Sequence, residues 1–497
     1  MNSSKKIVKG VVWTMLLNIV NGIYGFISVP ILIAHFGKDN YGLIGLAMSV
    51  NVYLRLMDMG MNSTNVRFFS SWITKGNYDN VNKLFHTNLS FYGLIGLLNA
   101  LILVVISFFT ETIFHLTPDQ DIVLKHLFYI LSISAFISWF TSCFDQLLRG
   151  NEYVGWTQKI SILPKVLQLL ILALTIILDF SIELYYMLTT FSLFLIIPFL
   201  YNKIKKICPY IRFKIGWDAK ILKEILPYSI NIFFLSIFQF SANHLRPIIL
   251  GMRGNIESVA DYRVLNGIIG IVVMLGGAFT GVILPSATKA ISKGDIKAEN
   301  KIAYTGTKYI SILLCFYAFG IISVSKEILT LYVGKDFIYL VPWLVLWLVI
   351  TTLAHNQAIS SLILGGQDIR PITHNSMLSS VVCLIACWYL VPLYGVGGTV
   401  IGYGLYYLFQ LSFFYVYYWP QKMGINSWVI FYKSYFPYLI IGFIASSVCF
   451  LDFNFQNTWG LFFLKGILFM ILYSLIVLST LNSDDKKFIL NFVRIKK

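Results

Sequence analysis

Apolar runs of about twenty residues recur along the whole chain and constrain its fold more than any other feature. A run of this length crosses the bilayer core as an α-helix, whereas a spanning β-strand needs only about ten residues of alternating character. Fourteen such runs can be recognised, centred near residues 22, 53, 97, 137, 168, 192, 237, 273, 313, 351, 383, 408, 441 and 470. The sequence therefore predicts an all-α, multi-pass membrane protein with about fourteen transmembrane helices.

Composition supports this class and argues against others. The chain is 57% hydrophobic and only 12% charged, which is not the composition of a soluble globular domain. The first run, over residues 10–34, is too long for the apolar part of a signal peptide, and no small-residue cleavage pattern follows it. We expect it to be a retained helix. The net charge of +16 is attributed to membrane topology rather than to nucleic-acid binding.

Lysines and arginines concentrate in alternate loops, which indicates the orientation of the chain. With the N-terminus in the cytoplasm, the loops on the opposite side hold only five of them: Lys38, Lys125, Arg253, Lys326 and Lys335. The cytoplasmic set includes a dense run over residues 203–223 and the basic C-terminal tail. Because short cytoplasmic loops are enriched in these residues, both termini are predicted to be cytoplasmic.

The basic run also divides the chain. The predicted organisation is an N-terminal six-helix bundle (1–202), a basic cytoplasmic linker (203–223), a C-terminal six-helix bundle (224–420), and an extra helix pair with a basic tail (421–497). An internal repeat supports two bundles, because KGNYDNVNK at 75–83 and KGDIKAENK at 293–301 begin and end alike. Both loops follow the second helix of a bundle on the same side. They therefore predict a parallel repeat, with a pseudo-twofold axis along the membrane normal.

Arg55 is the residue most indicative of function, because it lies near the middle of the apolar run from Leu43 to Met61. A cation at this depth costs about 2.5–3.5 kcal/mol on insertion scales and usually faces a bundle interior or a water-filled cavity. Asp58 lies one helical turn further along and can pair with Arg55. Two interpretations stay open, a cation that binds substrate and a structural ion pair.

Other polar residues within or at the edges of the runs complete the candidate binding site: Asn243, His244, Arg246, Arg263 and Lys308. Arg246 and Arg263 could instead snorkel to the outer headgroups, and Lys465 in the last run is expected to do so. Cations outnumber anions in the runs of both halves, so a cavity lined by them favours an anionic solute. A guanidinium is well suited to phosphate, because its planar fork meets two oxygens at once.

Motifs of soluble enzymes are missing from the sequence. It contains no Walker A loop, no Gly-x-Gly-x-x-Gly turn and no His-Glu-x-x-His. We therefore expect a transporter rather than an enzyme, with no cofactor, and a coupling ion such as H⁺ or Na⁺ is left open.

Several short motifs occur in an order typical of one transporter family: Pro30, the turn Phe36–Gly42 with Gly37 and Gly42, Asp58-Met59-Gly60, Arg67-Phe68, Leu148-Arg149-Gly150, Ala260-Asp261-Tyr262 and Leu284-Pro285-Ser286. With them the chain resembles the lipid-linked polysaccharide flippases (O-antigen, capsule and teichuronic-acid type) of the multidrug/oligosaccharidyl-lipid/polysaccharide exporter superfamily. The resemblance covers essentially the full length. One departure is that Asn243 and His244 stand where the family often has an acidic residue, which weakens the case for carboxylate-based ion coupling there.

The resemblance implies two six-helix bundles around a central cavity in a bacterial plasma membrane. It implies an undecaprenyl-diphosphate-linked oligosaccharide as substrate, turned from the inner to the outer leaflet, in a monomer surrounded by membrane lipids. A polysaccharide polymerase and glycosyltransferases are the expected protein partners. In related peptidoglycan-precursor flippases the extra helix pair forms a lipid-facing groove, and whether it does so here is left open.

Two alternatives remain from the sequence. A drug–cation antiporter of the same superfamily needs intramembrane acidic residues, and the runs of this chain are poor in them. A membrane-embedded glycosyltransferase or ligase normally has a catalytic carboxylate and a large external loop, and the sequence shows neither.

Overall fold

The structure is a computed structural model that describes the backbone of residues 3–365, 370–451 and 457–482. Within these ranges, side chains are described except at 3–8, 11, 231, 235, 274–282, 284–286, 292, 364 and 365. The described backbone is helical and contains no β-strand. The prediction of an all-α membrane protein is confirmed.

The chain divides into two compact units. Unit 1 comprises Met1–Arg263 with Val391–Val396, and unit 2 comprises Val264–Leu390 with Gly397–Lys497. The sequence-based bundle boundaries at 203–223 and 420 stay a prediction.

Twelve helices begin in unit 1, and the last of them continues into unit 2. They are α1 (Ser3–Leu54), α2 (Met61–Thr74), α3 (Tyr78–Ser107), α4 (Thr110–Phe114), α5 (Pro118–Gly150), α6 (Val154–Ile160), α7 (Ile162–Leu178), α8 (Ile182–Phe191), α9 (Ile197–Ile207), α10 (Ala219–His244), α11 (Arg246–Arg253) and α12 (Ile256–Lys293). Short 3₁₀ segments follow α1 at Arg55–Asp58 and α8 at Ser192–Ile196.

The remaining helices of the described chain belong to unit 2, except for the stretch Val391–Val396. They are α13 (Ile296–Lys301), α14 (Thr307–Ser323), α15 (Ser325–Tyr332), α16 (Val341–Thr352), α17 (Gln357–Gly365), α18 (Arg370–Tyr394), α19 (Val396–Phe413), α20 (Trp419–Lys422), α21 (Ser427–Val429), α22 (Phe436–Ser446) and α23 (Thr458–Thr480). Three π-helical segments lie between them, at Ile302–Gly306, Phe414–Tyr418 and Ile430–Tyr435, and 3₁₀ segments lie at Lys335–Leu340, Leu353–Asn356 and Ser447–Phe450.

The first long helix contains the first two predicted spans. The apolar stretch Val12–Asp58 is 47 residues long, about 70 Å at 1.5 Å per residue, which is more than twice the thickness of a bilayer core. Gly37 interrupts it with φ 82° and ψ 166°, which are not helical angles. The turn predicted at Gly37 therefore separates two membrane-length helices.

Eleven helices of the described chain are long and apolar enough to cross a membrane, or twelve when the bent pair Ala219–Phe234 and Ser236–His244 counts as one. The stretch broken at Gly37 counts once in this number, and α12, with side chains outside the described set, is not in it. The exact number of fourteen stays a prediction.

The two loops of the internal repeat adopt the same turn. Gly76 and Gly294 both have positive φ, 70° and 62°. The next residue in each loop caps the following helix: the Asn77 side chain accepts a hydrogen bond from the Asn80 N–H, and the Asp295 side chain accepts one from the Ala298 N–H. The backbone bonds also match, since the N–H of residue 77 bonds the carbonyl of 72 and that of 295 bonds 290. The two loops thus share their backbone conformation as well as part of their sequence.

An ion pair inside unit 2 corrects the expectation for Lys465. This side chain does not snorkel, because it is buried and its Nζ lies 2.8 Å from an Oε1 of Glu327 in α15. The same ammonium donates to the Cys449 carbonyl at 3.1 Å. Because the ammonium has an ion-pair partner and a hydrogen-bond acceptor inside the protein, it does not extend to the headgroups. These contacts join α23 to α15 and to the 3₁₀ segment Ser447–Phe450.

Candidate functional site

A backbone break positions the candidate site in unit 1. After α1 the chain makes the 3₁₀ turn Arg55–Asp58, and then Met59 and Gly60 both adopt left-handed conformations, with φ 49° and 75°. Gly60 also packs so closely on α10 that a Cβ there would lie 2.5 Å from the Ser229 carbonyl oxygen. Only glycine meets both requirements without strain. The break therefore fixes the positions of Arg55 and Asp58.

A polar cavity of about 210 Å³ opens beside this break. Arg55 and Asp58, which the sequence analysis singled out, both line this cavity. The other lining residues are Asn51, Asn62, Asn99, Ser138, Trp139 and Ser142. Six of the eight are neutral and all but Trp139 are polar, so water or a polar solute is the expected content.

Asp58 is held by neutral donors rather than by Arg55. Its carboxylate accepts hydrogen bonds from the Tyr92 hydroxyl at 2.5 Å and from the Asn62 backbone N–H at 2.9 Å. The contacts continue inward, because the Gln146 amide donates to the Tyr92 oxygen at 2.8 Å and the Asn65 amide donates to Gln146 at 3.1 Å. This chain of bonds ties the break to α3, α5 and α2.

Arg55 is left without a carboxylate partner. Among the residues that the structure describes, it forms no ion pair or hydrogen bond, and Asp58 makes no ion pair with it. The interpretation of the two residues as a helical ion pair is therefore wrong. The Asp58 carboxylate is instead engaged by the Tyr92 hydroxyl and the Asn62 backbone N–H. Arg55 and Asp58 thus both line the cavity without pairing with each other, and the role of Arg55 stays a prediction.

The other predicted residues of unit 1 do not line this cavity. Arg246 is buried, with 3% of its surface exposed, and its guanidinium donates to the Ala242 carbonyl at 3.0 Å and to the Asn243 side chain at 3.4 Å. It also lies 5.4 Å from the centre of the Tyr262 ring. His244 packs on Phe240 with ring centres 4.2 Å apart. Arg246 does not snorkel, because it is buried and its guanidinium bonds the C-terminal end of the preceding helix, α10.

Arg263 is held against the first helix of unit 1. Its guanidinium lies 4.4 Å from the centre of the Tyr41 ring, and its Cδ occupies the space that a Cβ on Gly45 would need, at 2.3 Å. A cation on an aromatic face is stabilised without a carboxylate. Arg263 is partly buried, and snorkelling to the outer headgroups stays a prediction for this residue. Lys308 lies in α14 of unit 2, so the structure does not group it with the cavity residues.

The predicted motif positions serve the packing of unit 1. Pro30 lies inside α1, and a Cβ on Gly42 would lie 2.4 Å from the Ile256 carbonyl oxygen. The Arg67 guanidinium lies 4.1 Å over the Tyr228 ring. The side chain of Pro285 lies outside the described residues.

The sequence matches one known protein family. The model of the family described as "Polysaccharide biosynthesis protein" matches residues 7–290, more than half of the chain. The chain belongs to the polysaccharide biosynthesis protein family. Among curated proteins, none matches it.

Solved structures show which fold this polysaccharide biosynthesis protein shares. A structure described as lipid II flippase MurJ in an inward closed conformation matches with a TM-score of 0.72 and 14% identity, over 93% of this chain and 98% of that one. An inward-facing multidrug resistance MATE family transporter of the MOP superfamily gives 0.65 and 14%, over 86% and 95%. The MATE multidrug transporter DinF-BH gives 0.58 and 12%, over 83% and 96%. The family-level resemblance found in the motifs is confirmed, and the fold is that of flippases and multidrug transporters.

Several cavity residues of this polysaccharide biosynthesis protein were missed from its sequence. Asn99 is the clearest, since an amide in the run Leu-Leu-Asn-Ala-Leu-Ile-Leu-Val-Val is an intramembrane polar residue of the kind that marks a site. It is 3% exposed, and its amide oxygen has no hydrogen-bond partner among the described residues. Ser138 and Ser142 gave no comparable signal, because serine is common in membrane helices and donates to its own backbone there.

Proposed function

We propose that this protein is a flippase that moves undecaprenyl-diphosphate-linked oligosaccharide units from the inner to the outer leaflet of a bacterial plasma membrane. The observation that carries the proposal is the Arg55 guanidinium, which lines the polar cavity of unit 1 and has no ion-pair partner among the residues that the structure describes. It contacts the diphosphate of the substrate. The MurJ structure, described as a lipid II flippase, supports a lipid-linked substrate through its fold.

The cavity suits one part of such a substrate. Pockets for drug-sized ligands have volumes of about 300–1,000 Å³, whereas this one measures about 210 Å³. It therefore takes the diphosphate and the first polar atoms beside it, while the prenyl chain stays in lipid. Arg55 supplies the charge, Asp58 positions the turn, and the Asn99 oxygen offers an acceptor.

The loop charges and the family resemblance together suggest how the proposed flippase is arranged in the membrane and which proteins it works with. Both termini lie in the cytoplasm, the working unit is a monomer, and the energy source is a coupling ion or the substrate gradient. A polysaccharide polymerase and glycosyltransferases are the partners that would use the product and supply the substrate. The protein forms and breaks no covalent bond itself, so it is a transporter rather than an enzyme. Asn243, His244, Arg246, Arg263 and Lys308 remain proposed contacts for the sugar-bearing headgroup along its path.

A multidrug antiporter is the second candidate, supported by the MATE structures and by Asp58 at the cavity. A cationic drug would need that carboxylate. Two hydrogen bonds already occupy it, and Arg55 beside it repels cations, so the anionic substrate is favoured.

Arg55→Ala tests the proposal in proteoliposomes that contain a fluorescent undecaprenyl-diphosphate oligosaccharide, with flipping measured as loss of access from one leaflet. Hydrogen bonds to a charged group contribute about 1.5–3 kcal/mol, so we expect binding to weaken about 10- to 150-fold. Arg55→Lys should recover part of the activity, because an ammonium keeps the charge and loses the fork. Lys75→Gln, which removes an exposed cation at the end of α2, is the matched control.

The double variant Arg55→Gln with Asp58→Asn separates substrate contact from structural pairing. A pair would be repaired by removing both charges, whereas a substrate contact would not. We expect the double variant to fold and to remain inactive. Full flipping in this variant would refute the role of Arg55, and drug efflux that depends on Asp58 alone would favour the antiporter.

A further inference from the structure

A second pocket in unit 1, about 370 Å³ in volume, shares no lining residue with the Arg55 cavity. Three cations line it, Lys9, Lys159 and Lys203, together with the aromatic residues Trp13, Tyr153 and Trp156. One carboxylate, Glu152, also lines it. With three lysines against one glutamate, the formal charge of the lining is +2.

Two of these lysines rest on aromatic rings instead of on carboxylates. The Lys159 ammonium lies 5.4 Å from the Trp13 ring centre, and the Lys203 ammonium lies 4.9 Å from Tyr153 and 5.4 Å from Trp156. In the part of the chain that the structure describes, neither lysine forms an ion pair. An aromatic face holds a cation in place but leaves its charge uncompensated. The pocket therefore presents two positioned ammonium groups to an anion.

Close packing builds the walls of this pocket. A Cβ on Gly155 would lie 3.0 Å from the backbone carbon and oxygen of Lys9, so α6 and the start of α1 are in backbone contact. Lys9 and Trp13 lie one turn apart on the same face of α1. The pocket is thus a seam between helices of unit 1.

The surroundings of the pocket point to a membrane lipid. The start of α1 and the end of α9 lie on the side that the loop charges predict to be cytoplasmic, and tryptophans mark the level of the headgroups. Beyond the pocket, α1 continues with the exposed apolar residues Val12, Met15 and Ile19, which are 56%, 56% and 51% exposed. They form one stripe at helical spacing. A phosphate at the lysines would place acyl chains along this stripe.

We propose that this pocket, formed by Lys9, Trp13, Lys159 and Lys203, binds the phosphate headgroup of an anionic phospholipid of the inner leaflet. Lysine suits this ligand, since an ammonium is a point charge that accepts a phosphate in many orientations. The apolar stripe favours a lipid over a soluble phosphate. The site is separate from the Arg55 cavity, so it stands or falls independently of the flippase proposal.

The test is a titration of the purified full chain in non-ionic detergent with phosphatidylglycerol or phosphatidylcholine, with bound lipids counted by native mass spectrometry. One ion pair between an exposed lysine and a phosphate strengthens binding by up to about fivefold. We expect Lys159→Gln and Lys203→Gln each to weaken phosphatidylglycerol binding about fivefold, and the double variant about 25-fold. Lys205→Gln is the matched control, because Lys205 is also on α9 but lies over Tyr201 and not in the pocket.

Every outcome decides the proposal. Selective loss of phosphatidylglycerol in the pocket variants, with unchanged phosphatidylcholine binding and an unchanged unfolding midpoint, supports it. Equal retention of phosphatidylglycerol by the double variant and the original protein overturns it. Displacement of the lipid by inorganic pyrophosphate at similar concentration also overturns it, because the pocket would then be a site for soluble phosphates.

Discussion

Removal of Lys465 should destabilise unit 2 strongly, because it would leave Glu327 buried without its partner. The side chains of Lys465 and Glu327 are 8% and 7% exposed, and the charged atoms are 2.8 Å apart. At this distance, and with an effective dielectric constant of about 20, their attraction is about 6 kcal/mol. Most of this attraction offsets the desolvation of the two charges. Breaking such a pair on one side costs about 3–5 kcal/mol.

We therefore expect Lys465→Met to lower the free energy of unfolding by about 3–5 kcal/mol, measured by titration with SDS in mixed micelles. The double variant Lys465→Met with Glu327→Leu is the decisive control, since no buried charge is left unpaired. It should regain most of the lost stability, because replacing a buried pair by apolar residues is often neutral or stabilising. If the single variant loses less than about 1 kcal/mol, the value typical of an exposed pair, the pair is not buried and the reasoning fails.

Two further predictions concern the backbone break and the topology. Gly60→Ala should lower the free energy of unfolding by about 1–3 kcal/mol, because φ is 75° and a Cβ would meet the Ser229 carbonyl. Gly22→Ala is the control and should not lower it, since nothing lies within 4 Å of a Cβ there. Equal effects of the two substitutions in an SDS titration would contradict this prediction. In intact cells, an impermeant thiol reagent should label a cysteine placed at the exposed Asp119 but not one at the exposed Lys214. Labelling at Lys214 would reject the predicted topology.

The fold was largely predictable, because each transmembrane helix corresponds to a long apolar run in the sequence. The turn at Gly37 and the repeated loops were also predictable from local letters. The status of Lys465 was not, since its partner Glu327 is 138 residues away along the chain. Nothing local distinguishes a lysine that pairs inside the protein from one that reaches the headgroups.

For the candidate site, the sequence singled out Arg55 and Asp58, and both line one cavity. The role of Arg55 stays a prediction, whereas the ion pair that helical spacing allowed is not formed. Depth in the membrane identified both residues, and helical spacing then paired them. The structure has a 3₁₀ turn and a left-handed Met59 at that point, and the Asp58 carboxylate accepts hydrogen bonds from Tyr92 and Asn62 instead of pairing with Arg55. Tyr92 is the actual partner of Asp58, and no sequence pattern links two residues on different helices.

The matching turns at Gly76 and Gly294 bear on the origin of the chain. Their glycine angle, capping position and backbone hydrogen bonds agree, while the letters between Gly and the final Asn-Lys have diverged. Selection on such a turn acts through the backbone, so one glycine and one short capping side chain suffice and the rest can drift. A gene that arose by duplication and fusion of an ancestral half would retain this trace after most of its residue identities were lost.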